Sequence, residues 1–192
     1  MKNLLVLFVF LWLSACSIKQ ASLKVYTLDI PQNSTVSSSR LRAKTIKVTY
    51  PRSIEEKSNS KMRYSYSNAE QGTYNNSQWS NDIGKLLQGT LIQVLEESRL
   101  FRAVIPYAST IKEDYRLESN IFDFSHHVRG EASYAIVSIQ FNLIDIDSGR
   151  LIKSKRFSYR EMTPTTDAKG YVDATNKAIS RLSRDLIVWI RY

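Results

Sequence analysis

The residues best suited to acid–base or metal chemistry are the chain's two histidines, His126 and His127. A hydrolytic triad needs a serine nucleophile, a histidine base and a carboxylate that orients the base. No G-x-S-x-G turn is present to expose a serine. Adjacent histidines would face opposite sides of a strand, so they are poorly placed to share one metal ion. We therefore interpret both as solvated loop residues and expect no catalytic site and no metal site.

Asp145, Asp147 and Gly149 are spaced like the start of a calcium-binding loop. Such a loop needs glycine at its sixth position and glutamate at its twelfth, where this chain has Arg150 and Arg156. We interpret the stretch as a hairpin turn in which Gly149 adopts the left-handed conformation. The chain also lacks both glycine-rich nucleotide-binding motifs, so no cofactor is predicted.

Basic residues cluster after this turn, at Lys153, Lys155 and Arg156, with Arg150 and Arg160 beside them. The whole chain has 27 Lys and Arg against 18 Asp and Glu, a formal net charge of +9. Such a cluster fits a nucleic acid, an anionic lipid or acidic partner, or a solvated strand that protects a sheet edge. The last two interpretations are favoured, and both remain open.

Aromatic side chains are also grouped, because several of the 11 tyrosines lie in a polar stretch before a predicted helix. Aromatic residues in polar loops are typical of protein interfaces and of the boundary between water and membrane. From this stretch and from the first predicted strand we select four candidate partner contacts: Tyr26, Leu28, Tyr74 and Trp79.

Cys16 is the chain's single cysteine, and it follows a short basic start and an apolar run over residues 4–13. Ten residues rise only about 15 Å as a helix, half the thickness of the hydrocarbon core, so the run is typical of a signal peptide. Residues 13–16 resemble the bacterial lipobox, which predicts cleavage after residue 15 and covalent lipid on Cys16. Ser17 stands where an aspartate would retain a lipoprotein in the inner membrane, so we expect the periplasmic face of the outer membrane.

Alternating apolar residues predict strands over much of the remaining chain. The predicted strands span residues 24–30, 45–50, 61–67, 114–124, 133–146 and 150–160. The clearest alternation places Ala135, Val137, Ile139, Phe141 and Leu143 on one face. Residues 68–79 and 161–168 are predicted to be loops.

Apolar residues at helical spacing predict two long amphipathic helices. The first begins at an N-cap, Ser80, and ends near Ser98, and the second covers about residues 168–189. Gly84 and Gly89 inside the first helix predict close approach to a sheet or a neighbouring chain. We expect an α+β fold, an antiparallel sheet of about five strands with both helices packed on one face. This single domain, residues 24–192, follows a signal peptide, residues 1–15, and a lipidated tether, residues 16–23.

Several short stretches, in order, resemble the ABC-type transport auxiliary lipoprotein family, and together they cover nearly all of the mature chain. They are Cys16, Tyr26-Thr27-Leu28, Trp79, residues 95–104, 114–118 and 141–145, Gly149-Arg150, Arg156-Phe157, and a last helix with Ala174, Asn176, Ala178 and Trp189.

The resemblance implies a non-enzymatic outer-membrane lipoprotein whose partner is a protein with mammalian-cell-entry (MCE) domains. Through that partner it would serve a lipid transport system with an inner-membrane permease and an ATPase. In this picture the chain docks the periplasm-spanning MCE component at the outer membrane. The resemblance also allows a homo-oligomer, because an MCE component is itself a ring. The competing interpretations are an assembly or stability lipoprotein for another outer-membrane machine (lipopolysaccharide insertion, secretion or a flagellar accessory) and a periplasmic hydrolase.

Overall fold

The computed structural model describes residues 22–31, 40–53, 59–67 and 69–192. The predicted signal peptide, Cys16 and Ser17 lie outside these residues. The described residues form nine strands and two helices. The strands are β1 (Lys24–Tyr26), β2 (Thr45–Val48), β3 (Arg52–Ser53), β4 (Lys61–Ser65), β5 (Gln71–Trp79), β6 (Ala103–Pro106), β7 (Tyr115–Arg129), β8 (Ala132–Asp145) and β9 (Leu151–Met162). The helices are α1 (Ile83–Ser98) and α2 (Ala168–Arg191).

Strand β7 is the centre of a single mixed sheet. Along one edge it pairs antiparallel with β8 from Tyr115 to Arg129, with a bulge between Ile121 and Asp123. Along the other edge it pairs in succession with β2, β3 and β4, all parallel to it. Strand β6 lies beyond β2, strands β5 and β1 lie beyond β4, and β9 lies beyond β8.

The predicted antiparallel sheet of about five strands is therefore wrong in both strand number and direction. Alternation marks a strand but carries no information on which strand it pairs with or in which direction. Residues 71–79, predicted to be a loop, form β5 between β4 and β1, with Ser77 and Trp79 buried. The polar composition of this stretch conceals the strand because most of its other side chains are exposed or half-buried.

The hydrophobic core lies between the helices and one face of β7, β8 and β9. The five alternating residues of β8 predicted to share a face, from Ala135 to Leu143, are all buried there. Helix α2 packs across β8 and β9, whereas α1 packs near β2 and β6. The hairpin between β8 and β9 also forms as predicted, with Gly149 at a φ of 67°.

Helix α1 begins two residues later than predicted. Asp82 is its N-cap, and the carboxylate accepts the backbone N–H of Gly84 at 2.8 Å and of Lys85 at 3.4 Å. The Tyr50 hydroxyl donates to the same carboxylate oxygen and so ties the start of α1 to the chain after β2. The close approach predicted for the helix glycines occurs only at Gly84, where an added Cβ would lie 2.6 Å from the Tyr50 hydroxyl oxygen. At Gly89 an added Cβ would meet nothing within 4 Å.

Alanine substitutions at these two glycines are expected to have opposite effects on stability. Gly89→Ala should raise the free energy of unfolding by about 0.5–1 kcal/mol, because alanine favours an exposed helix interior. Gly84→Ala should lower it by about 1–3 kcal/mol, because Tyr50 must move away from Asp82. Urea unfolding of the full chain measures both, and a shift of the same sign at the two positions would contradict the packing described here.

Candidate functional site

His126 lies in the middle of a buried aromatic cluster. Its side chain is fully buried on β7, its Nδ1 lies 2.7 Å from the Tyr74 hydroxyl, and its ring stacks on Tyr171 at a centroid distance of 5.3 Å. The prediction of a solvated loop histidine is thus wrong for His126, because β7 continues through this stretch and turns alternate side chains into the core. Burial, and secondarily the neighbouring His127, lowers the pKa of His126 to about 4, while Asp167 acts in the opposite direction.

The four candidate partner contacts come together around this cluster. Trp79 is 1% exposed and packs edge-on against Tyr171, so it lies in the interior. Tyr74 is half-buried and holds His126, whereas Tyr26 and Leu28 pack against the same buried residues from β1 and the segment after it. Burial and the contact with His126 explain the presence of Trp79 and Tyr74 in an otherwise polar stretch.

One polar atom in this cluster, Nε2 of His126, is buried without a hydrogen-bond partner among the described residues. Within the same part of the chain, the buried hydroxyls of Tyr171 and Thr175 interact only with each other. Burial also raises the pKa of Tyr171 well above its usual value, which keeps its hydroxyl protonated. A buried polar atom without a hydrogen-bond partner lowers the free energy of unfolding, so this cluster makes the core less stable than a fully paired one would be.

His127 faces the opposite side of the sheet and meets two polar side chains of its own strand. Its Nε2 lies 2.9 Å from Oγ of Ser125 and 3.2 Å from Oδ2 of Asp123. The Ser125 hydroxyl donates to Asp123, and the three residues line a cleft of about 330 Å³ together with Lys61 and others. Sequence reasoning missed this trio, since residues two apart converge only when the stretch is a strand.

The trio does not have the geometry of a hydrolytic triad. In a triad the histidine uses one ring nitrogen for the nucleophile and the other for the carboxylate. Here Ser125 and Asp123 both approach Nε2 of His127. Because the serine also donates its proton to Asp123, the arrangement ties up its hydroxyl instead of activating it. The described residues contain no group of three or more acidic, histidine or cysteine side chains that could hold a metal.

The basic cluster predicted from the sequence lies on β9, which forms one end of the sheet. The guanidinium of Arg156 stacks 3.3 Å from the ring centre of Phe122, and that of Arg160 lies 3.7 Å from the ring centre of Tyr134. Phe122 sits at the bulge of β7, which sequence alternation could not reveal. These stacked arginines face away from the helices, so they are available to ligands outside the domain.

The other face of β9 is fixed to α2 by polar contacts. Glu161 is buried and accepts a hydrogen bond from the guanidinium of Arg181. It also forms an ion pair with Lys177, whose Nζ lies 3.3 Å from Oε2 of Glu161. Burial alone would raise the pKa of Glu161, but these two cations lower it below its usual value. The Tyr159 hydroxyl donates to Asp185 one turn further along α2. β9 is therefore held firmly against α2 while its outer side stays exposed.

The buried state of His126 predicts an acid-dependent loss of stability. The unfolded chain takes up a proton at this histidine near pH 6.5, whereas the folded chain does so only near pH 4. The stabilisation is therefore complete above pH 6.5 and is lost as the pH falls towards 4, by on the order of 1–3 kcal/mol. His126→Phe should reduce this slope in urea unfolding measured between pH 4 and 7. His127→Gln is the matched control and should change the slope much less, because His127 is only the smaller cause of the lowered pKa of His126. An unchanged slope in His126→Phe would contradict the assignment.

Among the residues that the structure describes, neither helix combines the length and apolar character that a membrane crossing requires.

A search of curated protein sequences found no match to the chain. Solved structures with the same fold do exist. XCC0632 from Xanthomonas campestris has a TM-score of 0.78 and 16% identity, covering 88% of this chain and 95% of that one.

Two further solved structures are similar. An uncharacterised protein has a TM-score of 0.69 and 16% identity, covering 88% of this chain and 99% of its own. CT253 from Chlamydia trachomatis has a TM-score of 0.53 and 7% identity, covering 78% of this chain and 96% of its own. At these identities the likeness concerns the fold alone.

The family comparison goes further than the solved structures. A model described as the ABC-type transport auxiliary lipoprotein component matches residues 26–187, which include every strand from β2 to β9 and most of α2. This match confirms the family resemblance seen in the sequence. Because it spans far more than half of the 192 residues, the chain belongs to the ABC-type transport auxiliary lipoprotein component family.

Proposed function

We propose that this chain is a non-enzymatic lipoprotein subunit that docks an MCE-type component of an ABC lipid transport system at the outer membrane. The observation that carries the proposal is the family match over residues 26–187, combined with a lipobox cysteine just upstream of it. The family description supplies the auxiliary role in ABC-type transport. The membrane, the MCE partner and the lipid cargo are the parts proposed here.

The proposed anchor keeps the domain close to one bilayer. Residues 16–24 would span at most about 28 Å even if fully extended. With about 0.8 kcal/mol per buried methylene, three acyl chains of some fourteen carbons contribute on the order of 30 kcal/mol of gross membrane affinity. A subunit held in this way can form a fixed docking point for a component that spans the periplasm.

The environment of both histidines supports a non-enzymatic role. His126 is buried in an aromatic stack, so its ring has no access to a substrate. His127 contacts Ser125 and Asp123 through a single nitrogen, which leaves no arrangement of nucleophile, base and orienting group around it. Neither histidine therefore has the arrangement of groups that hydrolysis requires.

Removal of the lipidation site should abolish attachment of lipid. Cys16→Ala is expected to lose both incorporation of labelled palmitate and cleavage after residue 15, because the lipobox cysteine is the proposed site of both. Ser17→Ala should leave both properties unchanged and serves as the control. Labelling that persists in Cys16→Ala would overturn the proposed anchor.

Crosslinking in intact cells tests the proposed partner. The full chain, purified after crosslinking, should carry an MCE-domain protein, and Cys16→Ala should recover less of it because the two proteins are no longer held at one membrane. Recovery of an outer-membrane β-barrel without any MCE protein would favour an assembly or stability lipoprotein and overturn the docking proposal. Fractionation of the membranes by density tests the outer-membrane location in the same cells.

A further inference from the structure

Strand β9 ends the sheet with an edge that no described residue pairs with. It spans Leu151–Met162 and pairs only with β8. The backbone N–H of Thr163 donates to the carbonyl of Ser133 on the β8 side at 3.0 Å. Because N–H direction alternates along a strand, the N–H groups of residues 154, 156, 158, 160 and 162 point away from β8. The strand therefore presents a continuous row of free backbone donors and acceptors.

The side chains that flank this edge are exposed, and the two charged ones among them, Arg156 and Arg160, are cationic. Residues 154, 156, 158, 160 and 162 are all exposed, and Met162 is 66% exposed. Arg156 and Arg160 are stacked on Phe122 and Tyr134, and neither forms an ion pair within the part of the chain that the structure describes. Glu161, the one acidic residue of β9, is turned towards α2 and bound by Arg181. The edge thus has a positive charge that its own strand does not neutralise.

We propose that the outer edge of β9 binds an extended acidic segment of a partner protein, which adds a strand to the sheet. Addition of a strand satisfies the free backbone groups and gives affinity, while side chains at alternate positions give selectivity. Carboxylates on the added strand would be attracted by Lys155, Arg156 and Arg160. Apolar residues at its ends would meet Met162 at one end and Leu151 and Ile152, 58% and 48% exposed, at the other.

A second copy of this chain that pairs through its own β9 fits the edge less well. Antiparallel pairing of two β9 strands about Ser158 would use most of the edge, and it would set Arg156 of each copy directly opposite Arg160 of the other. Like charges directly opposite across a strand pair are destabilising. The same arginines that oppose pairing of two β9 strands attract an acidic strand, so the charge pattern favours an acidic strand over a second β9.

The edge also lies away from the segment that leads to the proposed lipid anchor. The sheet order from β1 through β5, β4, β7 and β8 to β9 separates the first and last strands by about 24 Å at ~4.8 Å per strand. β9 and the strand that follows the proposed tether therefore lie at opposite ends of this strand order. This inference rests on the proposed docking role only in that an adaptor requires a docking surface, and it concerns which surface is used.

The test uses the lipidated full-length protein in nonionic detergent and a synthetic peptide of twelve residues that alternates threonine and glutamate. Binding should slow hydrogen–deuterium exchange roughly tenfold at the outward N–H groups of β9 and leave the inward groups unchanged. A peptide with glutamine in place of glutamate should bind about tenfold more weakly. Failure of the acidic peptide to bind, or binding without protection of β9, would overturn the proposal.

Two sets of variants separate backbone pairing from simple charge attraction. Ser158→Pro removes an outward N–H without removing a bond to β8, so it should weaken binding at least about tenfold, whereas Ser158→Ala should bind like the parent. The double variant Arg156→Glu with Arg160→Glu should also lose binding. Lys24→Glu with Lys85→Glu, two exposed positions elsewhere, is its control for net charge. Far-ultraviolet circular dichroism checks that each variant folds.

The remaining outcomes also decide the proposal. An alternative outcome is that the protein binds vesicles of anionic phospholipid and not the peptide. If that vesicle binding is lost in the double arginine variant but kept in Ser158→Pro, the edge contacts a lipid surface, and the proposal of a protein partner is overturned. Protection of β9 that grows with protein concentration alone would assign it to a second copy. If Ser158→Pro still crosslinks to an MCE protein in cells, docking stands and this surface fails. If the acidic peptide binds β9 but no MCE protein is crosslinked in cells, the β9 surface stands and the docking proposal fails.

Discussion

The pairing of β7 along both of its edges is the interaction on which the rest of the structure depends. One edge is occupied along its length by β8, and the other is shared by three short parallel strands. Because both edges are engaged, the alternation of β7 side chains is fixed, with Leu117 and His126 facing the helices and His127 facing outward. The bulge after Ile121 is the one place where this alternation changes, and it puts Phe122 beneath Arg156.

This central strand separates two parts of the sheet. Beyond β4 lie β5 and β1, which lead back to the segment carrying Cys16, and beyond β8 lies β9 with its exposed basic edge. Both helices pack on the same face, so the opposite face of β7, β8 and β9 has no covering layer among the described residues. The proposed docking role requires a point of attachment and a separate surface for a partner, and this sheet order places β1 and β9 at opposite ends.

Sequence reasoning succeeded where the local pattern alone determines the structure. The alternation of β8, the turn at Gly149 and the helical spacing of α2 each depend on neighbouring residues, and all three are present. It failed where the structure depends on distant partners. Nothing local in residues 71–79 reveals that they lie between β4 and β1, and nothing near His126 reveals the rings of Tyr74 and Tyr171 that enclose it. The family, by contrast, was accessible because its motifs are ordered along the chain.

Leu28 and Asp29, which follow β1, join this strand to the core. A force on the proposed lipid anchor would reach the domain through β1, which has only three residues, paired in parallel with β5. So short a ladder is weak by itself, and the following residues reinforce it. Leu28 packs against both the hydrophobic core and the buried cluster around His126, and the backbone N–H of Asp29 donates to the side chain of Asn176 on α2 at 3.1 Å. These contacts connect the segment after β1 to α2, so a pull on the proposed anchor would be resisted by this helix as well as by the pairing of β1 with β5.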